Sequence, residues 1–231
     1  MSPRIGTATE AGLDPARLQQ TYALLDHWAQ SGRVPGGVLA VARQGVLVPP
    51  RAFGQRRLAG TSQPMEADAV FLVASVTKPV TALAERVAEV NLPEEEQRLD
   101  WTWNQPYWQH FGAPWGGMFS TVADLAALLQ LLLEEGQGLL GVQTARAMVA
   151  DQTSRLPGLS PEERQRAQAW ALGWCVGNWA DLGSARSFWH GGATGTLVGA
   201  DPESGLLCAL FTTQPDGPLY YAVNAVQGAV V

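Results

Sequence analysis

Leu18, Tyr22, Leu25 and Trp28 recur at helical spacing between Asp14 and Gln30, and Asp14-Pro15 supplies a start signal, so the first predicted element is an amphipathic helix. From Gly36 to Pro50 the run is short and β-branched, with a turn signal at Gln44-Gly45, which predicts an antiparallel hairpin. Phe71 to Ala74 reads as a brief extended entry into a helix that begins around Ser75. Residues 91 to 114 have no clear period and are crowded with Trp101, Trp103, Tyr107 and Trp108, with Trp115 just beyond. Thr121 to Leu133 is the clearest helix: Ser120 or Thr121 can cap it, Asp124 lies in its first turn and Gly136 ends it. A shorter helix is predicted over Val142 to Ala150.

The pattern then changes to strands over Ala169 to Val176, Leu197 to Ala200 and Leu206 to Thr212, the last two joined by the turn Asp201-Pro202-Glu203-Ser204-Gly205. Tyr220 to Val230 fits a closing helix. Strands at both ends with helices between them predict an α+β layout, an antiparallel sheet flanked by helices in which the two edges of the sequence meet. No internal repeat or low-complexity linker divides the chain, so residues 1–231 are read as a single domain.

Composition narrows this picture. With 231 residues, 46% of them hydrophobic and 16% charged, the chain can bury a core and is too sparsely charged to stay disordered. Its formal net charge of −6 offers no basic field for a phosphate backbone, so nucleic-acid binding is disfavoured. The start Met1-Ser2-Pro3-Arg4 lacks a signal-like apolar core and no long apolar run occurs, so the expectation is a cytoplasmic protein without membrane attachment. Cys175 and Cys208 sit in apolar runs and read as buried free thiols. No Cys, His, Asp or Glu grouping has zinc-like spacing and no Gly-rich phosphate loop precedes a helix, so no metal or cofactor is expected. His27, on the first helix, reads as a solvated or packed side chain. Oligomeric state is not legible.

Among 15 basic residues only Lys78 is a lysine. Arginine bias across a chain is compositional, but a retained lysine supplies a compact ammonium whose pKa can fall far enough to act as a base. Ser75 lies three residues before Lys78 at a predicted helix start, so both side chains project from one face. A serine hydroxyl is a poor nucleophile until a neighbouring base takes its proton, and a desolvated lysine can be that base or part of a relay. Free N–H groups at the helix start suit an oxyanion forming on an attacked carbonyl. A second segment, His190-Gly191-Gly192-Ala193-Thr194-Gly195, precedes the strand pair. Its glycines let a ligand approach the backbone, although the segment alone also reads as a Gly-rich turn with a surface histidine.

Together these segments resemble the serine β-lactamase and penicillin-binding-protein-like hydrolases, closest to class C β-lactamases and their esterase relatives. Phe71-x-x-Ala74-Ser75-Val76-Thr77-Lys78-Pro79 resembles the nucleophile segment, and Gly116-Gly117-Met118-Phe119-Ser120-Thr121 the Gly-Gly-hydrophobic-Ser-Thr stretch that opens a helix. His190-Gly191-Gly192, with Gly195 and the turn at Asp201, resembles the third motif, where esterases often carry His-x-Gly in place of Lys-Thr-Gly. The resemblance implies acyl transfer through a covalent ester on Ser75, with Lys78 as proton acceptor or relay. It further implies an oxyanion hole from the N–H groups of Ser75 and Ala193, with His190 lining the pocket and orienting the substrate's polar end. The substrate would be a carboxylic ester or a β-lactam-like amide, and the tryptophans near Gly116 favour an apolar acyl pocket.

One family motif is missing. No tyrosine or serine is followed two residues later by asparagine, and only 37 residues separate Lys78 from Gly116, where the family usually carries a helical subdomain. The run Ala82 to Val90 reads as two distant family segments joined. The helical region between about residues 82 and 100 is either deleted or unrecorded, or Tyr107 or His110 has taken over the proton role. Tyr107 and Trp108 are more economically read as pocket wall or core. The alternative to a hydrolase is a non-catalytic or acylation-only relative acting as a binding protein.

Overall fold

The computed structural model describes residues 3–58, 61–74, 87–113, 115–154, 156–158, 160–166 and 168–230. Ser75, Lys78 and the helix expected from Ser75 lie outside the described residues. In chain order the elements begin with β1 (Arg4–Ile5), α1 (Pro15–Gln30), β2 (Gly36–Arg43), β3 (Val46–Leu58), β4 (Thr61–Pro64), β5 (Val70–Leu72) and β6 (Val87–Ala88). They continue with α2 (Pro106–Phe111), β7 (Phe119–Ser120), α3 (Val122–Leu133), α4 (Val142–Val149) and α5 (Pro161–Arg166). The chain closes with β8 (Ala169–Trp170), β9 (Cys175–Val176), β10 (Phe188–Gly192), β11 (Thr196–Asp201), β12 (Leu206–Thr212) and α6 (Leu219–Gln227).

Local chemistry sets the ends of the main elements. The Asp14 carboxylate accepts from the N–H groups of Ala16 and Arg17 at 2.8 and 3.3 Å, and Pro15 occupies the first turn of α1. Thr121, not Ser120, caps α3, its hydroxyl accepting from the Asp124 N–H at 3.2 Å. Between β2 and β3, Gln44 and Gly45 both take positive φ, 53° and 73°, as the two-residue turn of a right-twisted hairpin requires.

The large sheet runs β1-β3-β2-β12-β11-β10-β9-β8, with β4 against β3. Its centre joins the two ends of the sequence: β12 lies antiparallel to β2, with Cys208 opposite Val41 and Leu210 opposite Leu39. Alternate residues of β12 serve different layers. Leu207, Ala209 and Phe211 pack with α3 on one face, and Leu206, Cys208 and Leu210 pack with α1 and α6 on the other. A strand covered on both faces must be apolar throughout, hence the unbroken run Leu206 to Phe211. A separate three-stranded sheet, β6-β5-β7, holds the residues that precede Ser75.

The expected α+β layout holds, helices flanking a sheet that is antiparallel except at one edge, where β1 pairs parallel to β3. Three local readings are corrected. Ala169 to Val176 is a hairpin, β8 and β9, because Gly173 at φ 86° reverses the chain and the Ala171 N–H closes the turn on the Trp174 carbonyl. α5 falls where no element was predicted; Ser160 and Glu163 cap it reciprocally, the Ser160 N–H donating to the Glu163 carboxylate at 2.7 Å and the Glu163 N–H to the Ser160 hydroxyl at 3.2 Å. α2 breaks the stretch read as aperiodic. Neither cysteine forms a disulfide and both are buried, and burial pushes the Cys208 thiol up to about 12. His27 is exposed. Among the described residues no helix is long and apolar enough to cross a membrane.

Candidate active site

The His-Gly-Gly segment is strand, and the turn begins only after Gly192. His190, Gly191 and Gly192 occupy β10, opposite Val198, Leu197 and Thr196 of β11. Ala193, Thr194 and Gly195 make the connection, closed by the Gly195 N–H donating to the Gly192 carbonyl at 3.0 Å. Gly195 has φ 87°, and a Cβ there would fall 2.1 Å from the Gln214 carbonyl oxygen, so both conformation and space demand glycine. Its carbonyl is held by the Thr212 N–H at 2.9 Å and the Thr212 hydroxyl at 2.7 Å.

This turn grips the end of β5. The Thr194 hydroxyl donates to the Leu72 carbonyl, and the Thr196 hydroxyl donates to the Val73 carbonyl at 3.2 Å. Gly192 leaves room for the same carbonyl: an added Cβ would sit 2.4 Å from Val73 O and 2.2 Å from the Thr196 hydroxyl oxygen. From the other side, β5 pairs antiparallel with β7, Leu72 opposite Phe119, and the Val73 N–H donates to the Met118 carbonyl at 3.0 Å. Gly116 lies close by, with a Cβ built there 3.7 Å from the Ala74 carbonyl carbon. Thus Leu72 to Ala74 are clasped between the Gly116-Gly117-Met118 stretch and the turn after β10. Ala74, the residue that precedes Ser75, is buried and sits at φ 46°, a left-handed conformation that costs a non-glycine residue about 1–2 kcal/mol.

His190 is 7% exposed. Its Nδ1 lies 2.7 Å from the Gly191 carbonyl oxygen, which can only accept, so the ring hydrogen is assigned to Nδ1. The imidazole meets the Trp170 ring edge-to-face at 5.6 Å between centroids, so β8 contributes an aromatic wall beside the third motif. Tyr107 and His110 lie on α2 and both are exposed. Tyr107 is therefore not core: it stacks on Phe111 at 5.6 Å, whereas Trp108 packs against Val70, Leu72 and Phe119. The His110 Nδ1 is tied to the Pro106 carbonyl at 2.6 Å.

The described candidates His190, Gly191, Gly192 and Ala193 are contiguous at one end of the sheet, beside the residues that lead into Ser75. Ser75 and Lys78 themselves are outside the described residues. The clasp threonines Thr194, Thr196 and Thr212 were not singled out from the sequence. Their signal is a threonine on either side of Gly195 in a strand turn, too common to be read without the partners across 122 and 123 residues.

A family model described as Beta-lactamase matches residues 21–91 and 85–230. A search of curated proteins gives no significant match. Among solved structures the chain is similar to EstCE1, a hydrolase with promiscuous acyltransferase activity, at 14% identity and a TM-score of 0.66, covering 93% of this chain and 98% of that one. It is also similar to a penicillin-binding protein homolog from Caulobacter crescentus at 14% identity and a TM-score of 0.69, covering 94% and 98%. Unliganded simvastatin synthase (LovD) from Aspergillus terreus aligns at 13% identity and a TM-score of 0.62, covering 93% and 98%.

Proposed function

The chain belongs to the β-lactamase family, and on that premise we propose that it is a serine hydrolase that acts through an acyl-enzyme on carboxylic esters or β-lactam-like amides. Ser75 is the nucleophile. Lys78, in its uncharged form, takes the hydroxyl proton directly or through a relay as the Ser75 oxygen attacks the carbonyl carbon. The oxyanion is held by the N–H groups of Ser75 and Ala193, and collapse expels the alcohol or amine. Water then cleaves the ester on Ser75 and releases the acid. His190 lines the pocket and orients the substrate's polar end, with the Trp170 ring against its imidazole.

The observation that carries this reading is the clasp: the residues leading into Ser75 are hydrogen-bonded to the turn that contains Ala193 and to Met118 of the Gly-Gly-Met stretch. The residues just before Ser75 lie against both other motifs, which supports this role for Ser75. Labelling with a fluorophosphonate probe tests it. The folded chain is expected to take one label on Ser75, Ser75→Ala none, and Lys78→Arg is expected to lose most ester turnover because guanidinium does not give up its proton. An unlabelled folded chain, or full turnover in Lys78→Arg, would overturn the assignment.

A second reading has its own support. No Tyr-x-Asn or Ser-x-Asn is present, and the family match falls into two stretches that share residues 85–91, as expected where an intervening helical region is missing. On this reading the chain acylates slowly and does not turn over, and an adduct on Ser75 that persists in the intact mass would establish it.

A further inference from the structure

The stretch between β6 and β7 builds a cavity of its own, whose lining does not include the His190 and Trp170 pair of the proposed catalytic site. It encloses about 310 Å³ and is walled by Trp101, Trp103, Trp108, Leu92 and Leu99, with Glu96 at its edge. Trp103 and Trp108 are anchored from beneath, packed on Val70, Leu72 and Phe119. Trp101 is 65% exposed and forms the outer wall. Three indoles and a carboxylate line one small cavity, and both kinds of group attract a cation, an indole through its π face. The local field has the same sign: residues 94–100 hold Glu94, Glu95, Glu96 and Asp100 against Arg98 alone. Arg98 is turned to Glu94, at 2.9 Å.

The cavity's natural occupant would be a protein guanidinium. Among the described residues the guanidinium–ring contacts are Arg33 over Trp28 and Arg51 over Tyr22, so neither falls on these three indoles. The lining also discriminates between kinds of cation. A primary ammonium has three N–H donors to satisfy, and beside Glu96 the one side-chain acceptor of the wall is Thr102, which is buried. A quaternary ammonium has no N–H donor and carries its charge on methyl groups that an indole face can cover. The volume lies at the small end of ligand pockets, about 300–1,000 Å³, which fits a head group and not a large molecule.

We propose that Trp101, Trp103 and Trp108 with Glu96 form a binding site for the quaternary ammonium group of a small organic cation. The site is independent of the Ser75 chemistry and operates whether or not the chain turns over an ester.

The probes are choline chloride and its neutral carbon isostere 3,3-dimethylbutan-1-ol, titrated into the intact chain and into Ser75→Ala while tryptophan fluorescence and calorimetric heat are followed. Choline is expected to saturate, and to bind about tenfold more tightly than the alcohol. Trp101→Leu, at an exposed position, is expected to weaken choline about tenfold while leaving the alcohol unchanged. Glu96→Gln provides a second variant at the surface, with a several-fold loss confined to the cation. An arm with phosphatidylcholine vesicles separates sources: co-sedimentation competed by free choline assigns the cation to a lipid head group, and absence of co-sedimentation assigns it to a free solute. Equal affinity for choline and the alcohol, no saturation by choline, or choline binding unaltered in both variants would overturn the proposal. Since Ser75→Ala is assayed for binding alone, failure here leaves the acyl-enzyme reading standing, and failure of that reading leaves this site standing.

Discussion

Gly191 and Gly192 are neighbours in one strand, yet the space around them is opposite. At Gly192 an added methyl would lie 2.4 Å from the Val73 carbonyl oxygen and 2.2 Å from the Thr196 hydroxyl oxygen, whereas at Gly191 the nearest atom, the Thr196 carbonyl oxygen, is 3.9 Å away. In Gly192→Ala the threonine can swing aside only by giving up its bond to Val73, and the Val73 carbonyl can retreat only by moving the backbone. Overpacking of this kind costs about 2 kcal/mol and the lost hydrogen bond about 1 kcal/mol more, roughly 3 kcal/mol together. For a domain of this size each kcal/mol lowers Tm by about 2–4 °C, so a fall of about 6–12 °C is expected. Val73 stands two residues before Ser75, so the same displacement misplaces the proposed nucleophile, and a shift of about 1 Å there costs roughly 100-fold in turnover. Gly191→Ala gains about 0.5–1 kcal/mol of backbone entropy in a strand and meets nothing, so it should be neutral or slightly stabilising. Urea denaturation and fluorophosphonate labelling rate are the assays. Equal stability of the two variants, or a more damaging Gly191→Ala, would refute the claim that β10 and the Val73 carbonyl are in forced contact.

Two further outcomes are expected. At Ala74, φ 46° favours glycine, so Ala74→Gly should be neutral or stabilising by up to about 1 kcal/mol, whereas Ala74→Val should cost about 2 kcal/mol or more in a denaturant titration; a tolerated valine would contradict the left-handed assignment. The Glu10 carboxyl is held down to about 2, chiefly by the Thr7 N–H, then the Thr7 hydroxyl and Arg4. Its folded pKa lies below the unfolded value of 4.5, so the stabilisation is present above that value and is lost as pH falls toward 2. Wild type should therefore melt above Glu10→Gln at pH 6 and converge with it by about pH 2, and a constant gap across that range would reject the linkage.

Elements governed by local chemistry were legible in the sequence. Asp14-Pro15 before a helical period, Gln44-Gly45 between apolar runs and Thr121 ahead of an apolar helix each carry their own boundary, and all three stand where they were read. What failed depended on distant partners. Ala169 to Val176 has strand composition, but whether it runs straight or doubles back at Gly173 is decided by the edge of β10 it must cover. α5 carries a reciprocal cap, Ser160 to Glu163, on a polar segment with no apolar period to draw notice. Tyr107, expected in a wall or core, faces solvent because α2 turns Trp108 inward instead. The candidate site divides in the same way. The His190 segment was visible as a motif, but the threonines that fix it to the end of β5 bond to carbonyls, which leave no mark in side-chain pattern.

The pairing of β2 with β12 also dictates an order of events during synthesis. Val38 to Val41 emerge from the ribosome early, and their partners Cys208 to Phe211 about 170 residues later. At about 5–20 residues per second the nascent chain carries that open, apolar edge for roughly 10–30 seconds with no native neighbour on its β12 side. An unpaired strand of this kind recruits others like it, so a ribosome stalled before residue 206 would release a product prone to aggregate, whereas the finished polypeptide closes its own sheet.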